Sequence, residues 1–170
     1  SGTILDYLED NKLHCRAVLL THAHFDHVGA ANALLEATGA RLYMCEKELE
    51  LVKGGASGRF TVPEDVKYYR DGDTVEVGGL RFEVMETPGH TPGGVTLRCG
   101  EALFTGDTLF RGSCGRTDFA GGDMRQELRS LKRIAELPGD YEVYPGHAES
   151  SMLSIEREHN PYVRHALEKM

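Results

Sequence analysis

The spacing of apolar residues changes from helix-like to strand-like along the 170-residue chain. In residues 28–38 the apolar side chains recur three to four positions apart, which is typical of a helix, and Gly39 follows as a terminator. Residues 16–20 form a short apolar run, which indicates a strand buried on both faces. Further along, two alternating runs flank Gly78 and Gly79, which is a strong hairpin signal.

Taken in order, these patterns predict an α/β protein with one domain spanning residues 1–170. We predict helices at residues 3–11, 28–38, 46–53, 123–137 and 152–159. We predict strands at residues 16–20, 40–45, 73–77, 80–86, 94–98, 102–105 and 141–144. Asp123 would cap its helix, with Gln126 in the capping-box position. Residues 107–122 form a long loop punctuated by glycine, and such loops in compact domains are often functional.

Composition and charge narrow the classes of function. The formal net charge is -8, which disfavours a binder of nucleic acid or of acidic membranes, since either needs a basic patch. The four cysteines form no Cys-x-x-Cys pair, so we interpret them as free thiols in a reducing compartment and expect a cytoplasmic protein. No run of about 18 apolar residues exists, and no signal peptide is visible, so we expect no membrane association.

Residues 21–27 contain the closest grouping of potential metal ligands in the chain. His22, His24, Asp26 and His27 fall within six positions, after the apolar run and before the helix-like segment. The pattern therefore predicts a loop at the end of a buried strand that leads into a helix. Such a loop can gather neutral imidazoles and a carboxylate around a cation. The packing of the four groups favours two adjacent metal sites that are completed by residues from elsewhere.

Three later turns carry further ligands of the same types. His90, Asp107 and His147 each follow a strand-like run, and glycine precedes each of them, which lets the backbone turn tightly. Because strand ends at one edge of a sheet face one another, we expect these side chains to converge on the first loop. Two ions about 3.5 Å apart, bridged by a carboxylate and a hydroxide, would use all seven groups. We expect two divalent ions, with zinc favoured and iron or manganese as alternatives.

These residues resemble the metallo-β-lactamase superfamily. The His-x-His-x-Asp-His loop and segments 87–93, 103–110 and 144–147 are similar to motifs of the small glyoxalase II-like hydrolases, and the resemblance covers nearly the whole chain. It implies a four-layer αββα sandwich with the metals at one edge. It implies a first metal held by His22, His24 and His90, a second held by Asp26, His27 and His147, and a bridge formed by Asp107. Asp26 and Asp107 are carried over as the catalytic carboxylates.

The chain departs from the family pattern at both ends. Family members have several amino-terminal strands before the first helix, whereas here the helix is predicted from residue 3, so we expect one sheet to lack those strands. The helical carboxy-terminal domain that carries much of the glutathione site in long glyoxalase II enzymes is also absent. Glutathione specificity is therefore not assumed.

The resemblance implies a hydrolase of thioesters or related esters in which a metal-bridging hydroxide attacks the acyl carbonyl. Arg116 is the candidate substrate-binding residue, because it could hold a substrate carboxylate bidentately. The alternative is that Arg116 pairs with Asp118. We expect a small-molecule thioester or ester as the partner, with no nucleic acid and no membrane, and a homodimer is compatible with the sequence.

Three other functions stay open. One is a mononuclear-iron persulfide dioxygenase, since that branch also carries a segment like residues 115–119. Another is a lactonase, which the motifs do not separate from a thioesterase. The last is a catalytically impaired metal-binding fragment, which the short amino terminus suggests.

Overall fold

The computed structural model describes residues 2–170 as helices and strands in a mixed order. The helices are α1 (Gly2–Asp10), α2 (Phe25–Val28), α3 (Ala31–Thr38), α4 (Leu49–Lys53), α5 (Met124–Ala135), α6 (Leu153–His159) and α7 (Pro161–Lys169). The strands are β1 (Ala17–Leu19), β2 (Arg41–Cys45), β3 (Lys67–Tyr69), β4 (Thr74–Val77), β5 (Leu80–Glu86), β6 (Val95–Cys99), β7 (Ala102–Gly106), β8 (Leu109–Phe110), β9 (Ser113–Cys114), β10 (Glu142–Pro145) and β11 (Ser151–Met152). A 3-10 turn at Glu46–Glu48 leads into α4.

The strands form two main sheets and one small hairpin. Parallel strands make up the first sheet, in the order β1-β2-β3. The second sheet has six strands in the order β11-β10-β7-β6-β5-β4, in which only the β10–β7 pair is parallel. Strands β8 and β9 pair with each other. The parallel pair matters for function, because β7 and β10 end at the same edge of their sheet.

Three apolar clusters separate four layers. The cluster between the first sheet and helices α2–α4 contains Leu20, Val28, Ala31, Leu42 and Met44. The cluster between the two sheets contains Cys45, Tyr69, Val75, Val84, Val95 and Leu97. The cluster between the second sheet and helices α5–α7 contains Met85, Leu103, Leu131, Ile134, Val143 and Val163. This order of helices, sheet, sheet and helices confirms the predicted αββα sandwich.

Strand β2 shows how the sequence produces these layers. Side chains alternate across a strand, so Leu42 and Met44 pack towards the helices whereas Tyr43 and Cys45 pack towards the other sheet. All four positions are apolar, which is why the segment has no polar alternation. At 25 cal/mol per Å², burial of Leu42 or Met44, both at most 1% exposed, contributes about 1.5–3 kcal/mol to the hydrophobic term.

Several predicted elements are confirmed and others need correction. The hairpin around Gly78 and Gly79 forms with the expected partners. The helix predicted over residues 28–38 is wrong as one element: the chain forms α2 and α3, interrupted at Gly29 and Ala30. Glycine has a poor intrinsic preference for helix, so it is a natural place for the interruption. Because α2 begins at Phe25, Asp26 and His27 lie inside a helix instead of in the loop before it.

Some elements were not predicted from the sequence. Strand β3 has only three residues, two of them exposed, and β8 and β9 have two residues each, so none has a readable period. Helix α7 was not predicted, because a proline such as Pro161 after a helix usually marks its end, and the last predicted helix stops at residue 159. The Asn160 side chain accepts the backbone N–H groups of Tyr162 and Val163, and so caps a new helix. Within residues 2–170, no helix has the length and apolar content needed to cross a membrane.

Candidate metal centre

The loop between β1 and α2 divides its four candidate ligands into two pairs. His24 has extended backbone angles, and its carbonyl accepts the N–H groups of His27 and Val28 at 2.9 and 3.1 Å, which starts α2. His22 and His24 therefore lie before the helix, while Asp26 and His27 lie in its first turn. His22 and His24 lie near His90, whereas Asp26 and His27 lie near His147, and the His22 and His27 ring centres are 4.0 Å apart.

A buried carboxylate holds this loop to the one that carries His90. Glu48, which is 1% exposed, accepts the N–H of Ala23 through Oε2 and the N–H of Gly93 through Oε1, both at 2.7 Å. Each amide lies within three residues of a candidate ligand. Glu48 comes from the 3-10 turn after β2, so the first sheet supplies the support for both loops.

The turn of His90 is packed against the start of α5. Gly89 has φ +149°, and a Cβ there would lie 2.3 Å from the Cα of Glu127, so a side chain cannot be accommodated. The N–H of His90 donates to Glu127 Oε2 at 2.9 Å, and the Ser130 hydroxyl donates to the carbonyl of Pro88 at 2.6 Å. Burial raises the pKa of Glu127 to about 9, so it is protonated at neutral pH.

Asp107 and His147 meet because β7 and β10 are parallel neighbours. The N–H of Gly146 donates to the carbonyl of Gly106 at 2.8 Å, which joins the two strand ends. A Cβ on Gly146 would lie 2.3 Å from Asp107 Oδ1 and 2.6 Å from the His27 ring. Glycine at position 146 therefore lets the backbone approach the carboxylate closely.

Six of the seven predicted ligands form two groups, which meet where the donor atoms of His22, His27 and Asp107 lie within 4.8 Å of one another. In the first, His24 Nδ1 lies 2.9 Å from His90 Nε2, and the donor atoms of His22, His24 and His90 all lie within 4.8 Å of one another. The second group contains Asp26, His27 and His147, with His147 Nε2 3.1 Å from Asp26 Oδ2 and 3.3 Å from His27 Nε2.

Asp107 lies between the groups and approaches both. Its Oδ2 is 3.4 Å from His90 Nε2 in the first group and 3.5 Å from His147 Nε2 in the second. Its Oδ1 is 3.3 Å from His27 Nε2. One carboxylate oxygen, Oδ2, is therefore close to both donor groups.

The chemistry of these donors fits divalent metal ions. His22 Nε2 is buried and has no hydrogen-bond partner among the described residues. Burial, followed by the nearby His27, lowers the pKa of His22 to about 2, and burial and His90 lower the pKa of His24, so both rings are neutral. His90 Nδ1 lies 2.7 Å from the carbonyl of Arg116, to which it donates, and this leaves Nε2 as a lone-pair donor. Neutral imidazoles and carboxylates that face a common centre are the donor set of a zinc, iron or manganese site.

A cleft of about 690 Å³ opens over the two groups. Its wall consists of His24, Phe25, Asp26, Ala56, His90, Asp107, Phe110, Ser113, Cys114, Arg116, Phe119, Ala120 and His147. Arg116 lies at this wall, where the sequence predicts a substrate contact, and it makes a bidentate pair with Asp118, with both N···O distances 2.6 Å. Burial raises the pKa of the Cys114 thiol to about 12, so Cys114 does not provide a thiolate nucleophile.

Two supporting residues of the site were missed from the sequence. Glu48 and Glu127 are acidic residues in helical segments, where exposed glutamate is common, and their partners are 25–45 positions away in the chain. Local pattern carries no signal for such contacts. The one available hint is a run of polar and glycine residues in the turns they support, whose amides need acceptors.

Comparison with known proteins gives a consistent result. The family model described as the metallo-beta-lactamase superfamily matches residues 2–147. The hydroxyacylglutathione hydrolase GloC of Haemophilus influenzae is 32% identical over 172 residues, which cover 94% of this chain and 81% of that protein.

Solved structures share the fold over most of their length. BLEG-1 B3 metallo-beta-lactamase superposes with a TM-score of 0.85 and 32% identity, covering 95% of this chain and 83% of that chain. TTHA1623 in a di-iron-bound form has a TM-score of 0.84 and 37% identity, covering 94% and 83%. ETHE1 from Myxococcus xanthus has a TM-score of 0.79 and 32% identity, covering 99% and 75%.

Proposed function

Because the chain belongs to the metallo-β-lactamase superfamily of metal-dependent hydrolases, we propose that it hydrolyses thioesters or related esters with two bound divalent ions. The observation that carries this proposal is the position of Asp107, whose Oδ2 approaches His90 on one side and His147 on the other. A single-ion site has no need of a carboxylate between two complete donor groups. The relation to a hydroxyacylglutathione hydrolase favours the thioester class.

In this proposal each donor group holds one ion. His22, His24 and His90 would hold the first, Asp26, His27 and His147 would hold the second, and Asp107 would contact both. Such ions supply Lewis acidity and lower the pKa of a bound water towards neutrality. Zinc suits the imidazole-rich donors, and the di-iron form of TTHA1623 supports iron as an alternative.

The chain's own residues position the reaction. Hydrolysis forms a bond between a water oxygen and the acyl carbon and breaks the bond from that carbon to the thiol sulfur or alcohol oxygen, which takes up a proton. Asp26 is 37% exposed and lines the cleft, so its carboxylate can accept a hydrogen bond from the water. Asp107 is 9% exposed and is oriented within the donor groups. Because the Cys114 thiol is neutral, it does not form a covalent acyl-enzyme in this mechanism.

A persulfide dioxygenase with one iron is the second candidate. The segment Gly115–Phe119 and the similarity to ETHE1 give it some support. Under this alternative the first donor group alone would hold the iron. The similarity to BLEG-1 and the open lactonase alternative add a β-lactam and a lactone to the substrates worth testing.

The test compares protein loaded separately with zinc and with iron(II). We expect the zinc form to release thiol from S-lactoylglutathione or from simple N-acetylcysteamine thioesters. His90→Ala should reduce kcat/KM by at least about 100-fold, the scale of losing a group that stabilises developing charge. His159→Ala, an exposed histidine outside the donor groups, is the control. Oxygen uptake with glutathione persulfide by the iron form, without thiol release from any thioester, would replace the hydrolase with the dioxygenase.

A further inference from the structure

Aromatic side chains flank both donor groups of the cleft. The Phe119 ring lies 5.8 Å from the His24 ring in an edge-to-face arrangement, next to the first group. The Phe110 ring lies 6.1 Å from the His147 ring, next to the second. Phe25 lies between His24 and Asp26 in the chain and also lines the cleft. An acyl group whose carbonyl reaches the centre therefore has these rings beside it in the cleft.

Two of these rings are exposed although they are large and apolar. Phe25 is 66% exposed and Phe119 is 47% exposed. Phe25 is held in place by its backbone, because its N–H donates to the carbonyl of Ala56 at 3.0 Å. Apolar rings left in water beside a concave site are the usual means by which a pocket binds apolar ligand atoms.

The small number of charged side chains in the cleft wall also favours an apolar ligand. Apart from the proposed ligands, Arg116 is the one charged side chain among the described wall residues. Its guanidinium is paired bidentately with Asp118 and lies 4.0 Å from the centre of the Phe119 ring. The Arg116–Asp118 pair is formally neutral. The described wall residues therefore offer no unpaired cationic side chain to bind the two carboxylates of a glutathione group.

We propose that the preferred substrate of this site is a thioester or ester with an apolar acyl group, selected by contact with Phe25, Phe110 and Phe119. This inference rests on the proposed hydrolase function and deepens it. The part of the substrate in the cleft carries no charge, and the Arg116 guanidinium stays stacked on the Phe119 ring and paired with Asp118. Specificity for the charged glutathione group is not built into the described residues.

The kinetic test uses the zinc-loaded 170-residue chain and two substrate series. In the first, N-acetylcysteamine carries acetyl, butyryl, octanoyl or phenylacetyl groups. The second consists of S-acetyl-, S-octanoyl- and S-lactoylglutathione, so that the acyl group and the thiol vary separately. We expect kcat/KM to be at least about 10-fold higher for octanoyl than for acetyl, because each methylene in an apolar pocket adds a measurable increment. We expect the gain to be similar on both thiols.

Substitutions assign this preference to the rings. Phe25→Ser and Phe119→Ser should each lower the octanoyl-to-acetyl ratio of kcat/KM by about fivefold or more, and Phe119→Leu should restore most of the loss, because leucine retains apolar area. Tyr7→Ser is the control, since Tyr7 is 62% exposed on α1 and lies outside the cleft wall. Circular dichroism and metal content of each variant separate altered specificity from misfolding.

A binding measurement tests the preference for an apolar acyl group independently of hydrolysis. The thioethers S-octyl- and S-methyl-N-acetylcysteamine are not hydrolysed, and calorimetry gives the affinity of each for the loaded protein. Tighter binding of the octyl compound, reduced in Phe119→Ser, supports the inference even where no thioester is turned over, and that outcome would overturn only the hydrolase proposal. Turnover with equal binding of both thioethers, or with S-lactoylglutathione preferred over all apolar thioesters, would overturn the inference and leave the hydrolase.

Discussion

Glu48 accepts the backbone N–H of Ala23, the residue between His22 and His24, at 2.7 Å. Its second oxygen accepts the N–H of Gly93 at the same distance, three residues beyond His90. One buried carboxylate therefore sets the relative position of the two loops that carry the first donor group. The sequence shows no local sign of this, because the contacts join positions 25 and 45 residues apart.

Glu48→Gln should weaken metal binding. Glutamine has one acceptor oxygen, so one of the two N–H groups loses its partner and faces an amide donor, which costs about 1–3 kcal/mol. We expect the zinc affinity of the first group to fall about 10- to 100-fold, as for other residues that support metal ligands. Competition with a chromophoric chelator measures the affinity. Glu50→Gln, at an exposed position two residues along, is the matched control, and an unchanged zinc affinity in Glu48→Gln would show that the loops are held by other contacts.

Gly146→Ala should damage the second donor group. The added Cβ would lie 2.3 Å from Asp107 Oδ1, so the carboxylate or the strand end must move. We expect the affinity for the second ion to fall by at least about 10-fold while the first ion stays bound. Calorimetric titration of the metal-free protein resolves the two events. Gly2→Ala, where nothing lies within 4 Å, should titrate as the wild type does, and two unaltered binding events in Gly146→Ala would contradict the placement of Asp107.

Asp118→Asn should change the response of the cleft to anionic substrates. The substitution removes one charge and one acceptor from the Arg116–Asp118 pair, which frees the guanidinium. We expect KM for S-lactoylglutathione to fall by about two- to fivefold, the scale of an exposed ion pair, with little change for octanoyl-N-acetylcysteamine. Steady-state kinetics on both substrates test this. Equal changes in KM for the two would mean that Arg116 does not face the bound substrate.

Asp71 should make stability depend on pH. The Arg133 side chain donates to both Asp71 oxygens at 2.6 and 2.9 Å and lowers the pKa of Asp71, against a smaller opposing effect of burial. Because the folded-state pKa lies below the unfolded value of about 3.9, this stabilisation is present above that pH and is lost as the pH falls through the folded-state value. Both side chains are 45% exposed, so solvent screening limits the effect to about 0.5–1 kcal/mol.

Urea unfolding of metal-free protein measures this contribution. Asp71→Asn should lower the free energy of unfolding at pH 7, and the difference from wild type should shrink as the pH falls below about 4. Lys53→Gln, which removes one partner of the exposed Lys53–Glu50 pair, is a control expected to have a smaller effect. A difference that grows towards low pH would reverse the sign assigned to Asp71.

The sequence predicted the metal centre better than its supports. The convergence of His22, His90 and His147 could be predicted because each is a ligand type in a turn after a strand, and these turns lie at one edge of the sandwich. The role of Glu48 depends on which loops pack together, which no local period records. Asn160 illustrates a different failure, since the same Asn-Pro pair ends α6 and caps α7, and only the three-dimensional path of the chain distinguishes the two.

The number of metal ions bound per chain tests the proposed two-ion centre most directly. Protein saturated with zinc and freed of excess metal should contain two ions per chain by elemental analysis, and Asp107→Asn should retain about one. The reason is that Asp107 approaches both donor groups, so its loss removes a ligand that the two ions would share and leaves enough donors to hold one of them. One ion per chain in the wild type, unchanged by Asp107→Asn, would contradict the binuclear centre.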